Sequence, residues 1–145
     1  MIHFSPAKIN LGLQILERRE DGFHELRSVM YPTPLCDIIE INQLPAEELP
    51  VRFSQSGIHF EDDLEKNICL KAWKLLASDR ELPHVAIHLH KQIPVGAGLG
   101  GGSSNASTVL KALNLLSGSL LHQRDWKNWP DNWEVTAHSF CKSFL

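Results

Sequence analysis

The chain has 145 residues and a formal net charge of −3, enough for one modest core and too little positive charge to suggest a nucleic-acid or anionic-membrane surface. No apolar run approaches the roughly 20 residues of a membrane-spanning helix, and the start, Met1-Ile2-His3-Phe4-Ser5-Pro6, lacks the basic flank and apolar stretch of a signal peptide. Three widely spaced cysteines, Cys36, Cys69 and Cys141, fit a reducing compartment better than a disulfide framework; the expectation is a cytoplasmic protein without nucleic-acid or membrane partners.

Residues 2–4 form a short apolar segment. Residues 8–16 alternate, with Ile9, Leu11, Leu13 and Ile15 on one face expected to meet the core, and Lys8, Asn10, Gly12 and Gln14 on the other. Residues 17–22 are a charged turn ending in Asp21-Gly22. Residues 26–31 and 36–41 predict two more strands, separated by Pro32-Thr33-Pro34, and residues 51–53 another, followed by a turn at Gly57. Ile68, Ala72, Leu75 and Leu76 carry helical spacing within residues 67–76. Residues 85–90 alternate like a half-buried strand. After the glycine-rich run that follows, Ala106, Val109, Leu110, Leu113 and Leu116 share one helical face, with Gly118 as a stop. Strands, a helix, then strand–loop–helix predict a two-layer α+β domain.

The run is Pro94-Val95-Gly96-Ala97-Gly98-Leu99-Gly100-Gly101-Gly102-Ser103-Ser104. Glycine admits positive φ and lets consecutive N–H groups converge as a nest, while the next helix contributes its own unpaired N–H groups and partial positive charge. That is a cradle for an anion, most naturally phosphate. Residues 96–101 also fit the G-x-G-x-x-G dinucleotide pattern. No Asp or Glu occurs between Glu81 and Asp125 to meet a ribose, however, and no Gly-Lys-Ser/Thr is present for a Walker A loop. A flexible linker is the remaining alternative, and it would not lead at once into an amphipathic helix.

The loop resembles the second motif of the galactokinase, homoserine kinase, mevalonate kinase and phosphomevalonate kinase superfamily. Its Gly-Leu-Gly-Gly-Gly-Ser-Ser-Asn-Ala form is similar to that of the 4-diphosphocytidyl-2-C-methylerythritol kinase branch. Ser5-Pro6-Ala7-Lys8-Ile9-Asn10 resembles the first motif of that branch, and Asp21-Gly22-Phe23-His24-Glu25-Leu26 its Asp-Gly-Tyr/Phe-His-x-Leu signature. The resemblance implies the ribosomal protein S5 domain 2-like N-terminal fold. It also implies transfer of the γ-phosphoryl of Mg²⁺-ATP to the 2-hydroxyl of a cytidine-diphosphate-linked methylerythritol, with Pro94 to Ser104 around the ATP phosphates. By the same resemblance, Ser103 or Ser104 reaches the metal, Lys8 stabilises the transferring group as the catalytic residue, Asn10 shapes the substrate site, and Phe23 and His24 lie at the cytidine pocket. Without it, Lys8 reads as a solvated surface lysine, Phe23 as core and His24 as exposed; Tyr31 fits the pocket or the core. His88 and His90, two apart on one strand face, lack a third ligand at metal spacing and read as strand surface. Asn105-Ala106-Ser107 matches a glycosylation acceptor by chance. The rival readings are another kinase of the superfamily, such as a homoserine kinase, and a non-catalytic nucleotide-binding fragment.

The resemblance covers about residues 2–118, a partial ATP-binding domain; a C-terminal domain is expected to be absent. The family continues with a Gly-Ser-Asp-x-Pro-Phe-Phe segment whose aspartate is the expected base beside Lys8. Residues 119–145 have no aspartate at that place, no clear periodicity and three of the four tryptophans. Back-translated from Trp126 and read from the third base of its codon, the tail can spell Glu-Lys-Leu-Ala-Gly-Gln-Leu-Gly-Ser-Asp-Cys-Pro-Phe-Phe-Leu. Residues 119–145 are therefore expected to be an out-of-frame tail beginning close to Gly118. The coding DNA across codon 118 is expected to spell the missing segment in the shifted frame; DNA that does not spell it removes the frameshift.

Overall fold

The computed structural model describes residues 1–18, 22, 24–58, 64–78 and 80–118. Four strands form one sheet in the order β1-β2-β4-β3: β1 (Ile2–Arg18), β2 (His24–Gln43), β3 (Val51–Gly57) and β4 (Val85–Lys91). The β1/β2 and β2/β4 pairs are antiparallel and the β3/β4 pair is parallel. A parallel pair needs a crossover, here supplied by a single 3-10 turn (Leu64–Lys66) and α1 (Ile68–Ala77). The last element described is α2 (Gly101–Leu116).

The core is the layer between the sheet and the two helices. β4 keeps a strict period of two, with Val85, Ile87 and Leu89 buried. Ile39 and Ile41 of β2 lie beside them, and Cys69, Ala72 and Leu76 of α1 and Ala106, Val109, Leu110 and Leu113 of α2 cover them. α1 begins where the sequence offers a cap: the Asn67 side chain accepts from the Cys69 N–H at 2.9 Å. The two-layer α+β expectation holds.

Two local expectations are corrected. The prolines do not split the second segment, and β2 runs unbroken from His24 to Gln43. Pro32 pairs with Lys8 and Cys36 with Pro6, so residues 33–35 bulge opposite Ala7 alone. An irregular stretch of this kind tolerates residues that cannot donate to a ladder. Likewise, residues 2–4 and 8–16 belong to one strand.

The second correction concerns the apolar face of residues 9–15. Ile9, Leu11, Leu13 and Ile15 are all exposed, Leu13 and Ile15 at 60% and 63%, because the distal half of the β1–β2 hairpin extends beyond the helices. Nor do the four share a face. Gly12, at φ 69°, sits at a register shift between Leu11 and Leu13. Leu11 pairs with Val29, Leu13 with Ser28 and Asn10 with Met30. Alternation along β2 then places Leu13 with Asn10 and opposite to Leu11. Tyr31, opposite Ile9, is exposed and outside the core.

Cys69, in the first turn of α1, is fully buried. Burial pushes its thiol up from 9.0 to about 12, the Asp37 carboxylate adding to the rise and the Lys91 ammonium opposing it. Below pH 9 the thiol is neutral in the folded and unfolded chain alike. Above it only the unfolded chain ionises, so unfolding free energy should fall by about 1.4 kcal/mol per pH unit between pH 9 and 12. Denaturant titrations at pH 8, 10 and 11 measure that slope. In the native chain iodoacetamide should alkylate half-buried Cys36 and spare Cys69 until denaturant is added.

Candidate active site

The glycine run divides between a loop and a helix. Gly96, Gly98 and Gly100 have φ of 74°, 71° and 70°, a repeated left-handed step that side chains resist. α2 begins at Gly101, earlier than its apolar periodicity indicates, with Gly100 as an N-cap that offers no side chain and no acidic residue in the first turn. Ser104 donates its N–H to the Gly100 carbonyl at 3.0 Å, so the amides of Gly101, Gly102 and Ser103 remain as the donors of an unneutralised helix start. Loop and helix start wall a cavity of about 310 Å³, which Asn67, Ile68 and Lys91 close from the side of α1 and β4.

Lys8 is tied to this loop twice. Its N–H donates to the Leu99 carbonyl at 2.8 Å, and its ammonium donates to the Gly98 carbonyl at 2.7 Å and to Asn10 Oδ1 at 2.6 Å. Asn10 is steadied in turn: its Nδ2 donates to Ser28 Oγ at 2.8 Å, and that hydroxyl donates to the Gly12 carbonyl at 2.6 Å. Lys8 and, through it, Asn10 are therefore tied to the glycine loop at its carbonyls, although neither residue lines the cavity itself. The two serines separate. Both are buried, but Ser103 lines the cavity, whereas Ser104 accepts from Ser5 Oγ at 2.8 Å and faces a different recess beside Pro6 and Lys111. His24 is exposed at the far end of the hairpin, paired with Arg18. It lies eight residues along β2 from the partner of Lys8, roughly 26 Å at strand rise. Phe23 lies outside the described residues. His88 and His90 are engaged on the outer sheet face: Ser54 and Ser56 contact the His88 ring at 2.8 and 2.9 Å, and Ser56 contacts His90 at 2.9 Å. Among the described residues no group of three potential metal-ligating side chains assembles.

Sequence reasoning missed the buried polar residues beneath the loop. Asp37 is fully buried and accepts from Lys91 Nζ at 2.6 Å, from Asn105 Nδ2 at 2.9 Å, and from the N–H groups of Gln92 and Ile93 at 2.7 and 2.8 Å. Lys91 also donates to the Ile93 carbonyl at 2.6 Å. The signal was present. Asp37 is a lone carboxylate in the apolar run Leu35-Cys36-Asp37-Ile38-Ile39, and Lys91 falls on the buried parity of Val85, Ile87 and Leu89. Charges in such places need partners. Asn67 and Asn105 line the cavity and are themselves buried; Asn67 Nδ2 and Asn105 Oδ1 have no hydrogen-bond partner.

A glycine loop leads into a bare helix start, and a lysine from the first strand is fixed against it; main-chain N–H groups so arranged suit an anion. A model of the GHMP kinases N terminal domain matches residues 67–134, a span that takes in α1, β4, the loop and α2 and runs past Gly118. The chain belongs to the GHMP kinase family, as its N-terminal part. Among curated proteins it is similar to enzymes named 4-diphosphocytidyl-2-C-methyl-D-erythritol kinase. Identity to that of Bacteroides fragilis is 49% over 114 residues, covering 79% of this chain and 42% of that protein. Identity to that of Parabacteroides distasonis is 41% over 148 residues, covering 100% of this chain and 51% of that protein. A crystal structure of 4-(cytidine 5'-diphospho)-2C-methyl-D-erythritol kinase superposes with a TM-score of 0.71 at 34% identity, covering 90% of this chain and 47% of that one. The chain spans about half the length of the curated relatives it matches.

The helix start leaves no room at Gly101. A Cβ there would lie 2.9 Å from Ile93 Cγ2 and 3.1 Å from Lys91 Nζ, both held by the Asp37 cluster. Gly101→Ala should cost about 1–3 kcal/mol by overpacking, whereas Gly102→Ala, whose Cβ meets only Ile68 Cγ2 at 4.0 Å, should leave stability within about 1 kcal/mol. Thermal melts of the two variants read the difference.

Proposed function

We propose that the chain is the nucleotide-holding half of an ATP-dependent kinase that phosphorylates the 2-hydroxyl of 4-diphosphocytidyl-2-C-methyl-D-erythritol, an isoprenoid precursor. The observation that carries this reading is the contact of the Lys8 ammonium with the Gly98 carbonyl, which fixes a cation beside a loop of anion-binding geometry. The names of the curated relatives support the substrate, and the repeated positive φ of the loop fits a triphosphate. In this reading ATP supplies the phosphoryl group and Mg²⁺ offsets its charge. Residues 94–103 cradle the phosphate oxygens through main-chain N–H groups. Ser103 is preferred to Ser104 as the hydroxyl near the metal, because Ser104 is occupied by Ser5 and lines another recess. Lys8 stabilises negative charge on the transferring group, and Asn10 keeps the ammonium aimed across the loop. His24 and Phe23 are the residues proposed, on the resemblance, to meet the cytidine.

Residues 1–118 form the functional unit in this proposal, and 119–145 the out-of-frame tail, a boundary that the family match crosses, since it runs to residue 134. Proteins of the full family length have about twice the chain, so the 145-residue chain by itself is proposed to bind nucleotide with little or no turnover. The aspartate expected as base is not at its place in the sequence, and a general base is worth roughly 10²–10⁴ in rate. Calorimetry with Mg²⁺-ATP should give measurable binding to the purified chain, weakened at least threefold by Lys8→Met. A phosphorylation assay with the cytidine-diphosphate substrate should stay near background. Binding indifferent to Lys8→Met would overturn the site, and robust turnover would overturn the proposed inactivity.

A further inference from the structure

The cluster beneath the loop has no role in the function proposed so far. We infer that Asp37 is a positioning residue, which shapes the anion loop by tying its entry to the start of α2; its functional consequence rests on the nucleotide reading above. The argument begins with the loop itself. A backbone of alternating glycines has no intrinsic shape, so amides that converge on an anion must be held from outside. Asp37 does this from β2. One carboxylate oxygen accepts the N–H groups of Gln92 and Ile93, the two residues between the end of β4 and Pro94. The other accepts from Lys91 and from Asn105 in the second turn of α2. Lys91 closes the circuit by donating to the Ile93 carbonyl, and Gly101 packs on Ile93 and Lys91 with no space for a Cβ. One buried side chain therefore fixes where the loop leaves the sheet and where the helix begins. Its two oxygens are used by different partners, which is why a carboxylate suits the place. The charge itself is compensated by Lys91, so the ion pair adds little net field at the cavity. Geometry is what it supplies.

Two double variants separate this role from general stability. Asp37→Leu/Lys91→Met and Asp37→Asn/Lys91→Met both remove the ion pair, and they differ in whether an oxygen remains at position 37 to accept the two N–H groups. Amide hydrogen exchange of the chain without ligand is the first readout. In the unmutated chain the Gln92 and Ile93 amides, beyond the end of β4, should exchange at least 100-fold more slowly than an unstructured peptide. The Asn-containing pair should keep loop exchange within threefold of that chain. The Leu-containing pair should raise it at least tenfold at residues 92–100, with α1 and the sheet core changed equally in both. The second readout is the Kd of Mg²⁺-adenylyl imidodiphosphate, expected to be at least tenfold weaker for the Leu pair than for the Asn pair. Equal loop exchange in the two pairs overturns the inference. So do unprotected Gln92 and Ile93 amides in the unmutated chain, a test that holds even where the Leu pair does not fold. An unmutated chain with protected amides and no affinity for the analogue overturns the nucleotide reading while the positioning role stands.

Discussion

A carboxylate sealed from water with four donors converging on it is the constraint on which this structure turns. Asp37 is fully buried, and desolvating a carboxylate is tolerable only where charge and hydrogen bonds replace the lost water. Lys91, Asn105 and two backbone amides provide that replacement, and they come from β4, the loop entry and α2. Meeting the demand of one ion therefore brings together the elements that make the cavity. Truncating either member of the ion pair alone would strand the other charge in the core, a much heavier loss than the net worth of the pair.

Lys8 works on the same loop from the opposite side. Its backbone N–H holds the Leu99 carbonyl and its ammonium the Gly98 carbonyl, so β1 and the loop are joined at two adjacent carbonyls. The two anchors, Asp37 below and Lys8 beside, leave the glycines their left-handed φ and remove most of their freedom. A bare helix start with no acidic residue in its first turn then faces an open cleft of about 310 Å³. Beyond Lys8 the hairpin carries Asn10, Leu13 and Ile15 on one side, because the bulge at Gly12 turned the alternation. Polar and apolar groups follow one another along that face from Lys8 outward.

What could be read from the residues and what could not differ for stated reasons. The order of strands and helices, the glycine loop and the place of Lys8 are local properties: alternation, helical spacing, backbone permissiveness and short motifs each act within a few residues. The continuity of β2 through Pro32 and Pro34 escaped, because it depends on what lies opposite, a bulge against Ala7. The burial assigned to Ile9, Leu11, Leu13 and Ile15 failed likewise. Alternation shows that a strand has two faces and says nothing of whether anything covers them. Lys91 was legible by parity and was passed over because its strand was ended one residue early.

By itself the sequence determined a two-layer α+β unit with a glycine loop between a strand and a helix, since periodicity and glycine φ are set by covalent chemistry and local sterics. Only the tertiary structure decided that Asp37, more than fifty residues away in the chain, reaches under that loop, that Ser103 and Ser104 face different recesses, and that half of a long hairpin stands uncovered. Those outcomes follow from long-range packing and from the electrostatic need of a buried charge for distant partners, neither of which is written in any one stretch of the chain.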